Sequence, residues 1–84
     1  MLTLKITACQ ISAARAGLGW DQGKLANASN VGIATIRRIE SSRSTLNLFE
    51  TFRYSTLSNV IKALADEGVI LFWDENFNPC VKFS

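Results

Sequence analysis

The stretch Gln22-Gly-Lys-Leu-Ala-Asn-Ala-Ser-Asn-Val-Gly-Ile-Ala-Thr-Ile-Arg-Arg-Ile-Glu40 decides the fold of this chain. Asp21, just ahead of it, is a good N-cap, and Gln22 to Ala28 reads as a short helix with Leu25 and Ala26 facing inward. Ser29-Asn30 interrupts that helix, because asparagine tolerates the left-handed conformation a tight turn needs. A further helix is expected from about Ile33 to Ser41, with Ile36 and Ile39 inward and Ile33, Ala34, Arg37 and Arg38 on the other side. Two short helices meeting at a turn of about three residues have helix-turn-helix geometry. Ala26 is small where the helices must approach closely, and Leu25, Val31, Ile36 and Ile39 fall at the positions that lock them together. Ser29 fits less well, since a larger apolar side chain usually packs at such a place.

Upstream, Thr7-Ala8-Cys9-Gln10 fits a capping box, in which Thr7 accepts from the amide three residues on and Gln10 reaches back. Ile11, Ala14 and Leu18 recur at helical spacing and Gly17 and Gly19 stop the run, so a first helix spans about Ala8 to Ala16. Downstream, Ser41 to Ser55 has no clear period. Leu46, Leu48, Phe49, Phe52 and Tyr54 are too apolar for a flexible linker, and an ordered loop or short helical turn is expected. From Thr56 the helical period returns in Leu57, Val60, Ile61 and Leu64 and ends at Gly68, a C-cap. Val69 to Trp73 is a β-type run, Asp74-Glu75-Asn76 and Asn78-Pro79 form a turn, and Cys80 to Phe83 return as a second strand. A lone hairpin is marginal in water and leaves edges unpaired, so a partner strand is expected from a second subunit or from Leu2–Ile6.

Composition bounds the function. Eighty-four residues, 48% hydrophobic and 19% charged, suit one small globular domain. No apolar run approaches the roughly 18 residues of a membrane span, and the Met1–Thr7 start lacks the pattern of a secretory signal. There is no histidine, and Cys9 and Cys80 form neither a disulfide framework nor a zinc pattern. Asp74 and Glu75 sit in a turn beside no nucleophile or base, so they read as solvated rather than catalytic. The expectation is a non-enzymatic, cytoplasmic binding module without metal or cofactor. Net charge is +2, but unevenly spread: residues 1–53 carry +4 and residues 54–84 carry −2. A basic front half and an acidic tail suit a module that meets a polyanion with one face.

A resemblance sharpens this. Arg15-Ala-Gly-Leu-Gly-Trp-Asp-Gln-Gly-Lys-Leu-Ala26, followed by Val31-Gly-Ile-Ala-Thr-Ile-Arg-Arg-Ile-Glu40, resembles the Cro and lambda-repressor type of DNA-binding domain, the xenobiotic-response-element family. The likeness covers about Thr7 to Arg43, and more loosely the Leu57–Gly68 helix and the tail. It departs at Gly32, where the family prefers a Ser or Thr N-cap, at Gly23 and Lys24, where acids are frequent, and in a longer Arg43–Leu57 link.

The resemblance implies a mostly α fold, a four- to five-helix repressor-like domain with a helix-turn-helix and a C-terminal β-hairpin. Residues 7–43 would hold helix one and the motif, 44–55 the extended link, 56–68 the last helix and 69–84 the hairpin. It further implies a sequence-specific transcriptional regulator, a repressor of the mobile-element or phage kind, binding double-stranded DNA at a pseudo-palindrome as a homodimer. Ile33, Ala34, Arg37 and Arg38 would face the major groove, with Arg38 preferred for base readout. Gln22, Gly32, Thr35 and Arg43 would meet phosphate. Arg15 and Glu40 would form a structural ion pair. Independently of the resemblance, the unpaired strand pair carries Phe72, Trp73, Val81 and Phe83 on a chain too small to bury them all, so dimerisation is expected through the hairpin with some help from the Leu46–Tyr54 stretch. Ile33 has a second reading as cover for the hydrophobic seam, and Trp20 reads as packing rather than base stacking. The alternative function is an antitoxin whose main partner is a toxin, docked on the 46–54 stretch or the tail.

Overall fold

A computed structural model of the chain describes residues 5–42 and 47–84. In order along them come α1 (Ala8–Gly17), α2 (Gln22–Ser29), α3 (Ile33–Ser41), a 3-10 turn (Leu48–Glu50), α4 (Tyr54–Ala65), β1 (Val69–Trp73) and β2 (Pro79–Phe83). The described chain is therefore mostly helical, with four α-helices and a C-terminal two-stranded antiparallel hairpin.

Each boundary has a local cause. α1 begins at a complete capping box: the Gln10 amide donates to Thr7 Oγ1 at 3.2 Å, and the Thr7 amide donates to Gln10 Oε1 at 2.9 Å. α2 starts at Asp21, whose carboxylate accepts from the Lys24 amide at 2.7 Å, and stops at Asn30 in the left-handed region, with φ 57°. Three residues, Asn30 to Gly32, join it to α3. Ser29 is buried although polar, because its hydroxyl donates to the Leu25 carbonyl at 2.7 Å and satisfies itself within its own helix. α4 starts two residues before the expected Thr56 and ends at Ala65, short of Gly68. The chain leaves it through tight turns from Glu67 to Leu64 and Gly68 to Ala65, and Gly68 supplies the positive φ of 82° that redirects it into β1.

Ile11, Leu25, Ile36, Ile39, Leu48, Leu57, Val60 and Leu64 are fully buried and form one core with all four helices around it. The 47–52 segment is part of that core. Leu48 is fully buried, its amide donates to the Ile6 carbonyl at 2.7 Å, and Asn47 Oδ1 accepts from the Ile6 amide at 3.3 Å. The Leu2–Ile6 stretch, expected to supply a partner strand, thus sends Ile6 to the 3-10 turn; Leu2 to Leu4 lie outside the described residues.

In the hairpin Val69 faces Phe83, Leu71 faces Val81 and Trp73 faces Pro79. Paired residues share a face and alternate pairs point opposite ways. Val69, Leu71 and Val81 accordingly pack on the helical core, while Ile70 and Phe72 are exposed on the outer side. β1 rests against α4 and β2 against α1. Gln10, buried at the start of α1, anchors the hairpin by donating Nε2 to the Phe72 carbonyl at 3.0 Å and the Cys80 carbonyl at 3.1 Å.

Candidate functional site

α3 has two unlike sides. Ile36 and Ile39 are fully buried, and Glu40 is nearly so. Ile33, Ala34, Arg37 and Arg38 are exposed, and Thr35 is half-buried beside them. The four residues expected to face a ligand therefore lie together on the surface of one helix, because a 3.6-residue period that commits 36, 39 and 40 inward leaves 34, 37 and 38 outward.

What holds this helix is a polar cluster behind it. Arg15 Nε donates to Glu40 Oε2 at 2.8 Å and Arg15 Nη2 to Glu40 Oε1 at 2.9 Å, a bidentate pair joining α1 to the end of α3. Arg15 Nη1 donates to the Trp20 carbonyl at 2.8 Å, so the same guanidinium pins the α1–α2 turn. Ser12 Oγ and Gln22 Nε2 also donate to Glu40 Oε1, at 3.1 and 3.3 Å. Burial works against the Glu40 charge, but the hydrogen bonds from Arg15, Gln22 and Ser12 and the Arg15 charge outweigh it, and the Glu40 pKa lies below the usual carboxylate value. The hydrogen bond to Glu40, opposed by desolvation, holds the Arg15 pKa above its ordinary value.

The remaining predicted residues are dispersed around this frame. Gln22 sits at the first turn of α2 and spends one amide hydrogen on Glu40; the second is left for another acceptor. Gly32 is the N-cap of α3 with φ −61° and open space around it, so neither backbone nor packing demands a glycine there. Arg37 makes no hydrogen bond or ion pair among the described residues. It borders a shallow hollow lined also by Ser12, Gln22, Glu40 and Ser41. Arg38 is less free than its sequence suggests, for its guanidinium carbon lies 5.4 Å from the centre of the Phe52 ring, a cation–π contact that ties α3 to the 47–52 segment. Arg43 lies outside the described residues. Trp20 packs against the core with Lys24 over its ring at 5.7 Å.

The residues expected at a dimer interface do not share one surface. Val81 packs on the core, Trp73 is half-buried with Nε1 donating to the Lys5 carbonyl at 2.7 Å, and Phe83 lies where any Cβ at Gly17 would collide with its ring. Phe72 alone of the four belongs to the outer side. The most exposed aromatic, Phe77 at 81%, lies in the β1–β2 turn, where no periodicity marks a residue in the sequence.

Among the described residues no cluster of Cys, Asp or Glu is arranged to hold a metal ion, and no helix is long and apolar enough to cross a membrane. Comparison with protein-family models, with curated proteins and with solved structures finds no match to this chain.

Proposed function

We propose that α2, the Asn30–Gly32 turn and α3 act as a helix-turn-helix, and that the protein is a sequence-specific transcriptional regulator that occupies an operator as a homodimer. The observation that carries the reading is the two-sidedness of α3. Its inner side is fixed by Ile36, Ile39 and the Arg15–Glu40 pair, while Arg37 and Arg38 stand outside with no acid to neutralise them among the described residues. A rigidly held helix with outward arginines suits the major groove, where guanidinium pairs with guanine and Ile33 or Ala34 meets a thymine methyl. Gln22 and the free amides at the start of α2 suit a phosphate, with Thr35 and Gly32 near the start of α3 in the same role. Repression is the simplest action for such a module, because occupying a promoter needs no further machinery.

The test is selection from a pool of randomised duplex DNA, followed by titration of the enriched sequence. A palindromic motif should be enriched, and Arg37→Ala should bind it about 10- to 100-fold more weakly for each half-site, the loss of one base or phosphate contact in each. Absence of any enriched motif, with no binding to duplex even at low salt, would sink the reading. The second reading, an antitoxin with a protein as main partner, draws on the apolar groove beside Phe49 and Tyr54. It predicts that binding to a toxin encoded next to this gene survives Arg37→Ala.

A further inference from the structure

Away from α3, the Lys5–Ile6 segment, the 3-10 turn, α4 and β1 enclose a groove of about 400 Å³. Phe49, Tyr54, Ile61 and Trp73 give it apolar walls, and the exposed Lys5 and Lys62 border it. Lys62 pairs with Asp66 at 3.2 Å, but both side chains are well exposed and such a contact is easily exchanged. Just beyond Trp73 lies the hairpin tip. The Asp74 amide donates to the Asn78 carbonyl and the Phe77 amide to the Asp74 carbonyl, each at 3.0 Å, and the Asp74 carboxylate accepts from the Asn76 and Asn78 amides at 2.9 and 2.8 Å. These bonds build a hairpin loop of Glu75, Asn76 and Phe77 whose last position is left-handed, the usual place of a glycine. Phe77 occupies it with φ 61° and 81% of its surface in water. A bulky residue there strains the backbone and adds nothing to the core of its own chain.

We infer that a second copy of this chain fills the groove: Phe77 of each copy enters the groove of the other, bringing the acidic Asp74–Glu75 turn against Lys5 and Lys62. The charges are complementary, acid on the tip and lysine at the groove. Trp73 both lines the groove and leads into the tip, so the two features lie side by side on each copy. One twofold axis passing between them satisfies both insertions, the self-complementary arrangement of a closed dimer. The turn is already braced by its own hydrogen bonds, so docking requires little new ordering of its backbone. The inference rests on the homodimer reading above and specifies its contact.

Sedimentation equilibrium of the full chain tests it. Wild type should dimerise, and Phe77→Gly should raise the dimer dissociation constant about a hundredfold, since two insertions worth about tenfold each are lost. The thermal midpoint of Phe77→Gly, measured well below the dimer dissociation constant, should hold or rise, because glycine suits the positive φ. Ser58→Glu, which puts bulk and a like charge into the groove wall on α4, should weaken the dimer while remaining helical. A wild type that stays monomeric at millimolar concentration overturns the inference and leaves the groove to another protein. So does a Phe77→Gly dimer as tight as wild type, which would assign the interface elsewhere, as to Ile70 and Phe72 on the outer side. Neither arm contains DNA. Failure of this contact leaves the reading of α3 standing, and a dimer that forms but selects no DNA sequence overturns only that reading.

Discussion

Glu40 shows how much one residue can couple. Its carboxylate, with only 6% of the side chain exposed, receives four hydrogen bonds, one from Ser12 and two from Arg15 of α1 and one from Gln22 of α2, while Arg15 itself is 20% exposed. The asymmetry makes the two deletions unequal. Arg15→Ala strands a buried carboxylate and should cost about 3–5 kcal/mol in urea unfolding; Glu40→Ala frees a guanidinium that water can reach and should cost less. The pH dependence follows from the direction of the Glu40 shift. Its folded pKa lies below the unfolded value, so the pair stabilises at neutral pH, and that stabilisation declines as pH falls below about 4.3, the ordinary glutamate value, and vanishes below the folded one. Urea midpoints of wild type and Glu40→Gln should therefore differ at pH 7 and converge in the acid window. Parallel curves down to pH 2.5 would mean that Glu40 does not carry this titration.

Between elements, the decisive side chain is Gln10. A capping box accepts Glu and Gln alike, so nothing in the first turn of α1 distinguishes them. The hairpin does: Gln10 Nε2 donates to two strand carbonyls, Phe72 and Cys80, where a carboxylate would face them with lone pairs. Gln10→Glu at pH 7 should consequently destabilise by about 2–3 kcal/mol or more, as much as Gln10→Ala, the cost of a buried acceptor without a donor. Amide exchange of β1 and β2 should quicken in both variants. A Gln10→Glu protein as stable as wild type would reduce Gln10 to its capping role and leave the hairpin held by Val69, Leu71 and Val81 and by Trp73 on the Lys5 carbonyl.

At the scale of the whole molecule, the uneven charge and the proposed twofold pairing make a joint prediction about salt. If Arg37 meets phosphate, each protomer neutralises one phosphate through it, and Arg37→Ala should lower the slope of log affinity against log salt by about one per protomer, about two for the dimer, with all sequences weakened alike. If Arg37 instead reads a base, the slope holds and one operator position in each half-site loses its preference. The twofold pair should place half-sites about one helical turn, roughly 34 Å, apart. Footprints of a single half-site at saturating protein would count against the pairing on DNA.

The helices, the Asn30 turn and the hairpin were legible because each is written locally: a period of 3.6, caps at Thr7 and Asp21, a left-handed asparagine, a β-type run of five apolar residues after Gly68. The outward set on α3 was legible for the same reason, since periodicity that commits Ile36 and Ile39 inward leaves Arg37 and Arg38 outside. The meeting of Arg15 with Glu40, 25 residues apart, was an expectation of the family resemblance alone, since no local spacing encodes it. What lay beyond sequence is contact across long separations. Gln10 reaching the hairpin, Arg38 lying over Phe52, Leu48 bonded to Ile6, and Trp73 and Val81 turned toward the helices rather than outward all depend on how elements dock, which local propensity does not encode. The groove and the exposed Phe77 belong to the same kind of fact, because a surface is defined only by what the packed core leaves uncovered.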